Sequence, residues 1–184
     1  MPSSISHIVA GASLGYSLSG GRRGALFFFS AALISILPDL DVLAFGFGIP
    51  YGDIFGHRGF FHSLVFSAIM SLATVLIWFR GRDGAAAERV RLCAMLFIIA
   101  ASHPVLDALT SGGRGIGLFI PFYNERLFFP WRPIAVSPIG VREFFSEWGL
   151  RVMKSELRYV IVPSFMMIIV AFIIRLALRR DVQD

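Results

Sequence analysis

Lysine is nearly absent from this 184-residue chain: Lys154 is the sole one, so the net charge of +5 rests on arginine. Cysteine occurs once, at Cys93. That excludes a disulfide framework and a thiolate metal cluster, and a single thiol in an apolar run suits a helix–helix contact. Charged residues make up 16% of the chain and hydrophobic ones 56%. A soluble domain is about a quarter charged, so the composition points to a membrane protein. Nineteen Phe against four Tyr agree with it, because Phe brings bulk without a polar tip. No basic face on a soluble module is visible, so nucleic acid is not an expected partner. The first residues lack a positive charge and are interrupted by His7, Gly and Ser, which does not describe a cleaved signal. There is no internal repeat and no low-complexity tail.

What remains is a series of apolar runs. Residues 5–18 are short and rich in Ala, Gly and Ser, a composition that lets helices approach closely in a membrane. They predict a helix packed against the others rather than an independent span. Residues 24–47 are the first clear span, with Pro38 expected to kink or end the helix. Residues 60–79 are the second, closed by Arg80-Gly81-Arg82-Asp83-Gly84, and residues 92–109 the third. Four glycines in residues 110–117 break that helix. Residues 110–158 read as a long non-spanning loop with one short amphipathic helix at 141–157, and residues 159–178 as the last span. The expectation is an all-α, integral membrane helical bundle of four transmembrane helices plus a short N-terminal helix, forming a single membrane-embedded domain over residues 1–184.

Consecutive spans alternate in direction. Arg22 and Arg23, the arginines at 80–91, and Arg175, Arg179 and Arg180 then share one side. The positive-inside rule makes that side cytoplasmic. The opposite side collects Asp39 and Asp41, His57 and His62, and His103 and Asp107, together with His7 if the first helix also crosses. Alternation alone brings every histidine to one layer, expected to face the periplasm from a bacterial inner membrane.

Ionisable groups near apolar sequence are costly unless paired, hydrated or bound to metal. His103 and Asp107 are four apart and share a helical face; they suit a shared metal, or a plain helix hydrogen bond. Asp39 and Asp41 would point the same way in an extended or kinked segment, or simply be the solvated end of a span. His62 is placed to ligate directly, with His57 approaching from the loop above it. Arg58 has a planar fork suited to a phosphate or carboxylate; the competing reading is a lipid-headgroup anchor. Gly59 would permit close backbone approach. His7 reads as a ligand or a packed polar residue, and Asp53 as a general base or only a loop acid. Carboxylates and imidazoles without Cys suit a borderline or hard divalent cation: Zn²⁺, with Mn²⁺ or Fe²⁺ as alternatives, as one or two ions. Such an ion makes a nucleophile of water, the usual logic of a hydrolase.

These residues resemble the YdjM-type family of LexA-regulated, membrane-bound, metal-dependent hydrolases. The likeness is carried by His7, Pro38-Asp39-Leu40-Asp41, His57-Arg58-Gly59 with His62-Ser63, and His103 to Asp107 followed by Thr110 and Gly112. It implies a membrane protein of about this size and a hydrolytic activity. A more distant similarity is to zinc-dependent phospholipase C and P1-type nucleases, which use an early His, an Asp, a His and a His-x-x-x-Asp helix. It implies His7, Asp39 or Asp41, His57 or His62, His103 and Asp107 as ligands. No histidine follows His103, so the later ligands of a trinuclear site are missing and one or two ions are implied.

The expected function is a membrane-bound, metal-dependent hydrolase of a phosphoester in a lipid or lipid-linked substrate, with membrane lipid as its surroundings. The rivals are an ion or metal transporter and a non-catalytic module in which metal staples helices.

Overall fold

The computed structural model describes residues 1–80, 86–138 and 140–180. Among them there is no strand; two isolated bridges, Thr110 with Ile134 and Ile116 with Leu127, are the extended pairings. Helix α1 (Ser4–Ser19) starts on a Ser3 cap and stops at Gly20, whose φ of 73° terminates it. Its small residues Ala10, Gly11, Ser13 and Gly15 are buried, and it packs against α2 (Ala25–Ile36), α4 (Ala86–Ala108) and α7 (Val162–Arg180). A Cβ at Gly11 would stand 1.9 Å from Ser35 Oγ, so only glycine lets α1 and α2 approach this closely. The N-terminal helix is therefore the centre of the bundle.

Pro38 ends the α-helical hydrogen bonding of α2 without ending the rod. The chain continues as a 3₁₀ helix over Leu37–Phe47, with Pro38 in its first turn. Together these form one apolar stretch, Ala25–Phe47, long enough to cross a membrane. The other two such stretches are Ala86–Ala108 and Glu147–Leu178. Helix α3 (Leu64–Trp78) is apolar but has fifteen residues, about 22 Å at 1.5 Å per residue, short of a bilayer core of about 30 Å. The 3₁₀ turn Phe60–His62 precedes it. The hydroxyls of Ser67, Ser71 and Thr74 bond back to carbonyls one turn earlier, at 2.7–3.1 Å, which satisfies them in apolar surroundings.

One boundary differs from expectation. The amphipathic helix α6 (Glu147–Glu156), after the short α5 (Val141–Phe144), is not separate from the last span. A π-helical turn at Leu157–Ile161 joins it to α7. The helix expected at 141–157 is split into α5 and α6, and α6 runs on into the last span, with the backbone helical past Arg151, Lys154 and Arg158. The non-spanning segment is correspondingly shorter. The expected turn at Gly81-Arg82-Asp83-Gly84 lies outside the described residues, as do the side chains of Arg179 and Arg180.

The two ends of the bundle are chemically distinct. At one, Arg23 pairs with Glu88, and Arg175 donates to the Tyr16 and Ser17 carbonyls that close α1. At the other, the buried Glu156 carboxylate accepts from Ser3 N at 2.5 Å, Ser3 Oγ at 2.5 Å and Ser6 Oγ at 2.7 Å, tying α6 to the start of α1. The histidines lie at this second end. Exposed apolar side chains such as Phe165, Ile169 and Phe172 cover α7, the pattern of a helix that faces lipid rather than water.

Candidate metal centre

Four residues from three elements converge on one buried point. Asp39 comes from the 3₁₀ extension of α2, His62 from the turn before α3, and His103 and Asp107 from the last turns of α4. One donor atom from each lies within 4.8 Å of all the others, a group able to hold a metal ion. His62, His103 and Asp107 have no exposed surface, and Asp39 retains 8%.

The spacings support an ion between them. His62 Nε2 is 3.5 Å from Asp39 Oδ1 and 3.3 Å from Asp107 Oδ2; His103 Nε2 is 3.3 and 3.9 Å from the same two oxygens. A tetrahedral site with N and O ligands at about 2.0–2.1 Å has ligand–ligand edges of about 3.3–3.4 Å. None of the facing atoms makes a hydrogen bond: His62 Nε2, His103 Nε2 and both oxygens of Asp39 and of Asp107 are buried without a partner. Buried polar atoms are normally satisfied, so a bare set of this size fits a cation.

The surroundings orient these donors. His103 Nδ1 is 2.7 Å from the Ser35 carbonyl. A carbonyl only accepts, so Nδ1 carries the proton and Nε2 presents its lone pair inward. Asp41 points away from Asp39, because a 3₁₀ segment does not place residues two apart on one side. Its Oδ1 accepts from His57 Nδ1 at 2.6 Å and its Oδ2 from Arg58 N at 2.9 Å, while Oδ2 also lies 3.0 Å from His62 Nδ1. The two aspartates thus divide: Asp39 faces the centre, and Asp41 braces the histidines.

His57 is buried against Asp41 and edge-on to the His62 ring at 5.7 Å; it stands beside the four-donor group, outside it. His7 stacks on His103 at 3.9 Å, and its Nε2 faces Asp107 Oδ1 at 3.4 Å, with both its ring nitrogens bare. It stands outside the four-donor group, against the second oxygen of Asp107.

Arg58 is 1% exposed, which removes the headgroup-anchor reading. Its φ of 63° turns the backbone so that its N–H reaches Asp41 and its side chain runs inward. Nη1 donates to Gly112 O at 2.8 Å, Nη2 to Thr110 Oγ1 at 3.3 Å, and Nε lies 3.7 Å from Asp107 Oδ2. Burial pulls its pKa down and the Asp107 carboxylate opposes that; guanidinium stays charged in either case. Gly59 makes the tight reversal possible, since a Cβ there would meet the Ile54 carbonyl at 2.2 Å. Asp53 is exposed and its Oδ1 accepts from Phe55 N at 2.9 Å, a local turn contact away from the four donors.

The segment after α4 closes the site from outside. Gly117 N donates to Arg58 O at 2.8 Å, Leu64 N to Leu118 O at 3.0 Å, and Ser111 N to Ile134 O at 2.8 Å. Arg126 donates to the carbonyls of His57, Tyr51 and Asp53 at 2.7–2.9 Å. Sequence reasoning missed three contributors: the Ser35 carbonyl, which no side-chain pattern announces; Arg126; and Glu156. The last carried a signal, an acid where an apolar span begins.

No solved structure matches the chain. It is 37% identical over 170 residues to the inner membrane protein YbcI of Escherichia coli (strain K12), covering 91% of this chain and 95% of that one. The family described as YdjM inner membrane protein matches residues 1–180. With a helical membrane bundle and a buried Asp–His group in place, the chain belongs to the YdjM inner membrane protein family.

Proposed function

We propose that this protein is a membrane-bound, metal-dependent hydrolase of a phosphoester carried by a lipid or lipid-linked molecule. The observation that carries the reading is the set of converging, unpartnered donors on Asp39, His62, His103 and Asp107. Two imidazoles and two carboxylates suit Zn²⁺, with Mn²⁺ and Fe²⁺ next. His7, on the far oxygen of Asp107, would extend the set toward a second ion. A divalent cation held there supplies Lewis acidity, the basis of metal-assisted hydrolysis.

The chain's own residues do the rest. Ser35 O fixes the His103 tautomer, and Asp41 holds His57 and lies against His62. Arg58 links Asp107 to Thr110 and Gly112, which keeps the carboxylate aimed inward and the covering loop shut over it. With its guanidinium so engaged, Arg58 contacts a substrate anion only if Gly112 or Thr110 yields. Asp53 would act as a base only if its loop folded inward. The protein sits in the inner membrane as a multi-pass bundle, its arginine end cytoplasmic and its metal end periplasmic.

Purified protein should carry a stoichiometric divalent ion by elemental analysis. Chelation should abolish turnover of phospholipid-like phosphoesters, and zinc should restore it. His103→Ala should remove the ion while leaving the helical signal intact. A protein that turns over such substrates equally well without metal would refute the proposal.

A second reading has its own support. Complete burial of three donors, with four protein ligands available, is the habit of structural zinc sites. In that case metal loss lowers thermal stability and no exogenous ligand reaches the ion. Cobalt substitution separates the two, because an anion added to an open site changes the visible spectrum and one added to a closed site does not.

A further inference from the structure

We infer that the apolar cavity beside the centre holds one acyl chain of a glycerophospholipid, with the headgroup end at the metal site. This deepens the hydrolase reading and rests on it for the substrate's role, though not for the binding.

The cavity has a volume of about 580 Å³, within the range of about 300–1,000 Å³ typical of small-molecule sites. Leu40, Ala44 and Phe47 of the 3₁₀ segment form one wall, and Phe55, Phe61 and Phe66 the other. Its lining is apolar with one exception, Asp41, the residue that braces His57 and His62. An apolar chain lying in it therefore ends beside the group that holds the centre.

Two features select the occupant. Leu40, Leu43 and Phe47 are each more than half exposed on a stretch long enough to span the membrane. The cavity is thus continuous with the lipid-facing surface, and its mouth opens to acyl chains rather than water. Beyond Asp41, which accepts from His57, the Tyr51 ring is edge-on to His57 at 5.3 Å, and the Arg114 and Arg126 guanidinium carbons lie 5.5 and 5.3 Å from its centre. Two guanidinium groups past the one polar liner complement the phosphate of a headgroup whose acyl tail occupies the slot.

The test is photocapture. The probe is phosphatidylglycerol with a diazirine in one acyl chain, added to the full chain in detergent, with adducts mapped by mass spectrometry. Adducts on Ala44, Phe55, Phe61 or Phe66 should exceed those on Phe165, Ile169 and Phe172 of α7 about tenfold, the ratio given by ~1.4 kcal/mol of preferential binding. Ala44→Trp should remove the cavity adducts and leave the α7 adducts. Equal yields on both surfaces in the unsubstituted protein would overturn the inference even if Ala44→Trp fails to fold. So would cavity adducts indifferent to a well-folded Ala44→Trp. Capture by a protein that binds no metal would remove the hydrolase reading and leave the cavity assigned; bound metal without capture would do the reverse.

Discussion

His103 and Asp41 show how single atoms would set the affinity of the candidate centre. The Ser35 carbonyl holds one imidazole by its Nδ1, and the Asp41 carboxylate holds His57 and lies against His62. Partners of this kind typically contribute 10–100-fold to metal affinity. Asp41→Asn keeps the volume and removes the charge, so zinc affinity measured against a competing chelator should fall by about that factor with little change in fold. Asp39→Asn removes a donor itself and should cost more in the same titration. That His7, His103 and Asp107 come together was legible from spacing and direction. The division of labour between Asp39 and Asp41 was not, because it depends on Pro38 switching the backbone to a 3₁₀ helix instead of an extended or kinked strand of chain. Nor was the burial of Arg58, which follows from a left-handed backbone at that residue.

At the scale of elements, α1 transmits packing into the site. Gly11 touches Ser35, and the Ser35 carbonyl holds His103. Gly11→Val forces the helices apart, and overpacking typically costs about 1–3 kcal/mol. It should lower both the melting temperature in detergent and the zinc affinity, although residue 11 touches no ligand. Glu156 anchors the same helix from its other side through Ser3 and Ser6. Glu156→Ala leaves those buried groups unpaired, at about 1–3 kcal/mol; the melting temperature should fall, and hydrogen exchange should rise first in residues 3–10. The small-residue pattern of α1 foretold close packing. The continuity of α6 with α7 could not be read from composition, since charge on an amphipathic turn resembles charge in a loop.

For the whole molecule, the gathering of the histidines at one end was legible in the sequence. It needs only hydropathy and alternating direction, and the described helices obey it. Its orientation is testable with a single cysteine in a Cys93→Ser background. Cys at position 122, where Phe122 is 86% exposed at the histidine end, should react with a membrane-impermeant maleimide in intact cells. Cys at Arg22 should react only after the inner membrane is opened; the opposite pattern would invert the topology.

The π-helical turn at Leu157–Ile161 sets the phase between two anchors that lie at opposite ends of the bundle. Before it, Glu156 must meet the serines of α1; after it, Arg175 must meet the last carbonyls of that same helix. Deleting one residue within the turn would swing everything downstream by about 100°. Either clasp would then survive, but not both, and lipid-facing phenylalanines would be driven against α1. The wide turn is thus a vernier, and chain length through it should tolerate insertion or loss far less well than the irregular segment between α4 and α5.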